Sequence, residues 1–335
     1  LQALIDLHYY EYKVIVIVKD RVAWLANLPK NELLANSIKS FIKDVPGVKE
    51  VKILDGVPPK EVEKREKYVN RPQVSGIWFP QQTELFQPII ANPRQIIYSI
   101  AYRAGDRVMG KKAISVSLGD DFPIFRWLDV FNGGDLQIGI EAGIWSVFDI
   151  DPPKPRRNKG TALMNTDFAV GFPITYAYNK WSFKLRPYHE SSHLGDEYMK
   201  NNPSVNRKNP SYEALEFFTS YQANDIVRIY FGPGWIIHSD KSFPMKHAYV
   251  EYGLELRFWG KKIYYHKLYG NFFLGAYLRN WQYFHWRYDG TYVFGYEWGK
   301  LQGVGRKIRL LGEFHSGYSL EGQFMKLSLI HISEP

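Results

Sequence analysis

Leu136-Gln-Ile-Gly-Ile-Glu-Ala-Gly-Ile144 alternates from end to end. Ile138, Ile140, Ala142 and Ile144 fall on one side of an extended chain, and Gln137, Gly139, Glu141 and Gly143 on the other. Successive side chains of a strand point to opposite faces, so this is a strand with one apolar face and one polar or glycine face. The rhythm returns downstream. Val250, Tyr252, Leu254, Leu256 and Phe258 alternate with Glu251, Gly253, Glu255 and Arg257, and Tyr292, Phe294, Tyr296 and Trp298 with Val293, Gly295, Glu297 and Gly299. From residue 76 onward the chain keeps this period of two.

Two architectures fit such alternation: a soluble β domain with an apolar interior, or a membrane barrel with an apolar exterior. Three features favour the barrel. The alternating segments run to about 10–14 residues, the length of tilted bilayer-crossing strands. The polar faces carry full charges (Arg186, Arg228, Arg257, Arg279, Arg309; Glu141, Glu216, Glu251, Glu255, Glu297, Glu313), which suits a narrow polar lumen closed by its own ion pairs. Aromatic residues crowd the strand ends, as interfacial girdles do.

About twelve strands are expected, near 95–104, 112–119, 136–148, 163–178, 181–193, 212–222, 225–237, 247–258, 263–282, 291–299, 307–316 and 323–329. Short turns follow the even strands from the fourth onward, at Asn179-Lys180, Ala223-Asn224 and Gly260-Lys261-Lys262. Long polar loops such as 149–161 and 194–211 follow the odd ones, while a linker at 120–135 breaks the rule. Short periplasmic turns and long external loops mark outer-membrane barrels, so the expected fold is mainly β: a closed antiparallel transmembrane β-barrel. Lipid offers no partner for an open sheet edge, hence closure. Both chain ends then fall in the periplasm.

Composition agrees. Among 335 residues, 10 Trp, 24 Tyr and 21 Phe accompany a mean hydropathy of −0.33, so apolar side chains are interleaved with polar ones. The longest aliphatic run, Val14 to Val18, is far too short for a membrane helix. The absence of cysteine removes disulfides, thiolate metal sites and cysteine nucleophiles. The net charge of +9 is scattered among glutamates rather than gathered on one surface, so no nucleic-acid partner is expected. The chain starts at Leu1 with no basic-then-apolar leader before it, as in a fragment or a chain whose signal peptide has been removed.

The N-terminal region has another rhythm. Residues 12–18 and 22–25 read as strands around a turn at Lys19-Asp20-Arg21. Residues 31–44 carry apolar positions 34, 38, 41 and 42 at helical spacing behind Asn31 as N-cap, Pro46-Gly47 stops the helix, and residues 48–54 alternate as a third strand. Val18-Lys-Asp-Arg-Val-Ala-Trp-Leu25, followed by Val45-Pro-Gly-Val-Lys-Glu-Val51, resembles a BON domain. That resemblance implies a small α/β periplasmic unit in contact with lipid or an envelope partner. The expected organisation is therefore a BON-like domain over 1–57, a linker over 58–93, rich in charge around residues 60–67, and a barrel over 94–327.

The stretches Leu85-Phe-Gln-Pro-Ile-Ile-Ala-Asn-Pro-Arg94, Arg186-Pro-Tyr-His-Glu-Ser-Ser-His-Leu-Gly-Asp-Glu-Tyr198 and Tyr230-Phe-Gly-Pro-Gly-Trp235 resemble an uncharacterised domain-of-unknown-function family of outer-membrane barrel proteins. That resemblance implies a barrel in the bacterial outer membrane and no established activity. Residues 328–335 resemble a translated sequencing adapter, a non-native tail in which His331 has no functional reading.

One cluster carries possible chemistry: His189-Glu190-Ser191-Ser192-His193. If Asn179-Lys180 is a two-residue hairpin turn, His189 lies opposite Val170 and Ser191 opposite Phe168, on the apolar face. The pair is similar to the His-x-Ser pairs that outer-membrane phospholipase A and lipid A deacylase keep on their lipid-facing walls. The resemblance implies His189 as base and Ser191 as nucleophile, with Glu213 at the right parity to orient the imidazole; those enzymes have Asn where this chain has Ser192. The competing expectation is a polar rim with no chemistry. His193 with Asp196 and Glu197 has donors for a divalent cation, but loop acids are commonly just solvated. Gly232-Pro233-Gly234 reads as a strand kink, since no helix follows to make a phosphate cradle. No cofactor and no metal are expected. The expected function is non-catalytic envelope organisation or restricted solute passage, among outer-membrane lipids. Acyl hydrolysis of those lipids is the alternative.

Overall fold

A computed structural model describes residues 14–19, 22–26, 28, 32–43, 48–53, 76–80, 85–106, 108–131, 134–151, 160–224, 226–260, 269–299 and 307–326. Asn31, the turn at Asp20-Arg21, Pro46-Gly47, the charged stretch 60–67 and the tail 328–335 lie outside them.

The first unit contains β1 (Ile15–Lys19), β2 (Val22–Ala26), α1 (Glu32–Lys43) and β3 (Glu50–Ile53). Helix α1 turns Ala35, Ile38 and Ile42 inward, and the last two pack with Ala23 and Leu25 of β2 in one apolar cluster. The three strands form a sheet in the order β1-β2-β3, antiparallel then parallel. A parallel pair needs a crossover, which α1 supplies.

The rest is one large antiparallel sheet of thirteen strands. They are β4 (Gly76–Trp78), β5 (Ser99–Asp106), β6 (Gly110–Val130), β7 (Gly134–Asp149), β8 (Ala162–Gly171), β9 (Ile174–Tyr178) and β10 (Trp181–Leu194). After the short helix α2 (Asp196–Asn201) come β11 (Ser211–Gln222), β12 (Val227–Ser239), β13 (Ala248–Phe258) and β14 (Tyr269–Trp281). A 3-10 turn η1 (Gln282–Phe284) leads to β15 (Asp289–Gly299) and β16 (Lys307–Ser316), and a second turn, η2 (Gly322–Phe324), follows. No helix among the described residues is long and apolar enough to cross a membrane, which says nothing of strands.

Three details differ from the sequence reading. The stretch 120–135 is no linker: β6 runs through Asp120-Asp121 to Val130, which pairs with Gly134 at the start of β7 only four positions on. Pro123, which cannot donate to a ladder, sits at a register shift between Pro123 and Phe125. The connection parity that 120–135 broke is thereby restored. Second, β8 and β9 split one expected strand at Phe172-Pro173. Third, 323–329 supplies no strand among its described residues, since Gly322–Phe324 turn as η2. In addition, β4 and residues 85–93 lie within 58–93 yet pair and pack with the large sheet.

The sheet buries its polar face and exposes its apolar one. Glu141 is 2% exposed and Gly143 is buried, whereas Ile140 and Ile144 are 37% and 38% exposed. The same inversion holds on β13 and β15, where Glu255 and Glu297 are buried beside exposed Leu254 and Phe294. Buried charges must be paired, and these are. Arg186 bridges Glu141 and Glu216, each at 2.7 Å, and Arg228 reaches Glu255 at 3.3 Å. Arg309 meets Glu297 at 2.6 Å, and Arg279 meets Asp289 at 2.5 Å. The polar face curls onto itself, so that Tyr188 of β10 and Tyr249 of β13 join hydroxyl to hydroxyl at 2.9 Å.

Two stretches of the chain pack against the buried face. Residues 85–97 pack Phe86, Ile89, Ile90 and Ala91 against Phe218, Tyr230, Phe273 and Val293 of the sheet. Residues 317–326 lie across the loop end, where Glu321 takes Arg103 at 2.6 Å and Gln323 bonds Ser192. Burial pushes the Glu321 carboxyl up, but the Arg103 and Arg94 guanidiniums overcome it and hold the group at about 2.

Candidate functional site

The outward face near the loop end breaks its apolar pattern on three adjacent strands. The two-residue turn at Asn179-Lys180 pairs Tyr178 with Trp181 and sets the register of β10. His189 therefore opposes Val170, and Ser191 opposes Phe168. On the other side His189 opposes Glu213 of β11. Its Nδ1 lies 2.8 Å from Glu213 Oε1, with both side chains partly exposed.

The other carboxylate oxygen of Glu213 is taken as well. His238 Nδ1 stands 2.7 Å from Glu213 Oε2. Sequence parity does not reveal this contact, because a register shift between Glu213 and Ala214 brings His238, rather than Ile237, opposite Glu213. An ionised carboxylate can only accept, so each imidazole meets Glu213 through an Nδ1–H donor. The result is a carboxylate clamped between two imidazoles on an apolar wall.

Ser191 shares the outward face with His189 two residues away, yet among the described residues its hydroxyl makes no hydrogen bond. Its neighbour Ser192 points inward, where its hydroxyl donates to Asn165 Oδ1 at 3.1 Å. His193 turns to Arg207 at 3.3 Å and packs edge-on to Phe168. Asp196 and Glu197 occupy the first turn of α2, and no group of three His, Cys, Asp or Glu side chains among the described residues is arranged to hold a metal ion. Gly232 and Gly234 leave room for neighbouring aromatics: a Cβ on Gly232 would lie 2.6 Å from the Phe218 ring, and one on Gly234 would strike Tyr249. Chemically, the wall offers a hydroxyl, a base and an orienting carboxylate, the components of nucleophilic acyl transfer.

The profile of one protein family matches residues 9–331, nearly the whole chain. The chain belongs to the family described as protein of unknown function (DUF1207). No curated protein and no solved structure matches it. The family match spans both the small α/β unit and the large sheet.

Proposed function

We propose that the chain is a bacterial outer-membrane β-barrel with its N-terminal BON-like unit in the periplasm, sealed by its own chain and acting in envelope organisation among outer-membrane lipids. The observation that carries this reading is the inverted sheet, with paired charges buried and an apolar face exposed. Water would penalise such a surface; lipid is its natural solvent.

Closure along one seam is part of the proposal. Strands β4 and β5 both pair with β6, and β8 and β9 both join β7 to β10, so the thirteen strands make eleven staves. Each of the ten steps from β5 to β16 is antiparallel, which leaves the two end strands running the same way. Arg103 of β5 and Glu313 of β16 act on each other electrostatically, as side chains facing across a seam do. The ends of β6 and β9 lie at one end of the sheet, which we assign to the periplasm and where the next strand begins within four residues, and the ends of β7 and β10, followed by longer stretches before the next strand, lie at the other.

The filled interior supports a silent barrel over solute passage at rest. Full-length protein folded into planar bilayers is expected to carry no ionic current. A steady current from the untreated protein would contradict the sealed reading.

A second reading is favoured by the His189–Glu213 contact of 2.8 Å. Here His189 removes the Ser191 proton, Ser191 attacks the ester carbonyl of an outer-membrane lipid, the ester C–O bond breaks and the alcohol leaves with that proton; water, deprotonated in turn by His189, then cleaves the acyl-serine to free the fatty acid, while Glu213 holds the imidazole. Release of fatty acid from mixed envelope lipids, abolished by Ser191→Ala, is its test. Release that persists in that variant, or no release at all, rejects it.

A further inference from the structure

The segment that fills the centre of the sheet is built as a separate piece. Residues 85–97 satisfy their own turn: Ile89 N donates to Gln95 Oε1 at 2.9 Å, Asn92 N to Ile89 O at 3.2 Å, and Gln95 N to Asn92 O at 3.0 Å. They add no strand to the wall; the flanking ties are Phe79 N to Ile124 O and the Ser117 hydroxyl to Ile97 O. A backbone that bonds itself can leave a cavity without exposing unpaired groups.

The wall is equally self-sufficient. Arg228 donates to the carbonyls of Gln87 and Pro88, and Glu255 accepts from Ile90 N at 2.7 Å. Both wall residues keep partners when those contacts are lost. Arg228 retains Ser220 Oγ at 2.7 Å and Glu255 itself, and Glu255 retains Arg257 at 3.0 Å. Asp167, the partner of Arg94, retains Asn165 at 2.7 Å and the backbone of Gly322 at 3.3 Å. Room for the segment comes from wall glycines. A Cβ on Gly119 would lie 2.8 Å from Ile96, and one on Gly143 or Gly275 would lie 3.1 Å from Ile96 or Ala91.

We propose that residues 85–97 are a withdrawable plug and that the barrel is a gated pore for small polar solutes bearing both charge signs. The segment leaves toward the rim where β4 meets β6, from which it enters. The solute class follows from the wall the plug covers, where Lys184, Arg186 and Arg228 alternate with Glu141, Glu216 and Glu255. The proposal rests on the barrel reading, and the experiment separates the two.

The chain has no cysteine, so a single engineered pair can be read cleanly. Ala91→Cys with Gly275→Cys joins plug to wall at near-disulfide spacing, the Gly275 side needing a few tenths of an ångström of give. Current is recorded in planar bilayers holding the full chain in potassium chloride, with urea added from the plug-entry side. The reduced double variant and the unaltered chain are expected to start silent and open in steps. The oxidised variant is expected to lose that opening and regain it with reductant. A variant lacking residues 85–97 provides the second measurement: it is expected to be open without urea. Opening that ignores the disulfide, or silence of the deletion variant in a folded, heat-modifiable barrel, overturns the plug. Current from the untreated chain instead overturns the sealed barrel.

Discussion

Single residues decide how charge is tolerated inside this sheet. Arg228 serves four partners at once, holding Glu255, Ser220 and the carbonyls of residues 87 and 88. Arg228→Ala leaves the wholly buried Glu255 with Arg257 as its one charged partner beside the Ile90 N–H, and loss of about 3–5 kcal/mol is expected from breaking such a pair. The midpoint of urea unfolding, followed by gel mobility of unheated samples, measures it. Glu321 gives a pH signature. Its carboxyl is held at about 2, below the ordinary carboxylate value, so it stabilises the folded mouth fully above the ordinary value. That stability is lost as pH falls from the ordinary value toward about 2. Hydrogen exchange of residues 317–326 is expected to quicken in that window, and Glu321→Gln is expected to be fast at every pH. The outward cluster was legible in part. Period two and a two-residue turn place His189, Ser191 and Glu213 on one face before any coordinates, whereas His238 reaches Glu213 only through a bulge that no residue in the sequence announces.

At the scale of elements, alternation located most strands well. The eleventh, 307–316, coincides with β16, and 181–193 falls one residue short of β10. Misreadings occur where alternation and continuity part company. In β6 the acidic pair Asp120-Asp121 and then Pro123 imitate a loop, while the ladder continues through the bulge. In 323–329 the few residues offer alternation too short to distinguish a strand from a turn. The segment 85–97 is the larger omission: Pro88, Pro93 and the absence of periodicity make 85–93 look like a linker, and only the glycines of the sheet hint that something packs against its buried face. Those glycines yield a paired prediction. Gly119→Leu forces its side chain against Ile96 and is expected to cost about 1–3 kcal/mol by overpacking. Gly312→Leu meets open space on the outward face and is expected to fall within about 0.5 kcal/mol of the parent. Urea midpoints of the two variants test the contrast.

The whole molecule is a sheet turned inside out relative to a water-soluble β domain. Its buried face is ionic and its exposed face is aromatic and aliphatic, with Ile308 and Leu310 of the end strand β16 more than 70% exposed. The packing of residues 85–97 on the buried face, the two-imidazole clamp on the exposed face and the family match over both units all sit on that framework. The measurement that tests it most directly uses the cysteine-free chain in lipid vesicles. Single cysteines at Ile140, Ile144 and Phe294 carry an environment-sensitive fluorophore, with quenchers attached to the lipid chains or dissolved in water. The account predicts strong quenching from within the bilayer and little from water at all three positions. Labels quenched by the aqueous agent and untouched by the lipid-borne one would contradict it.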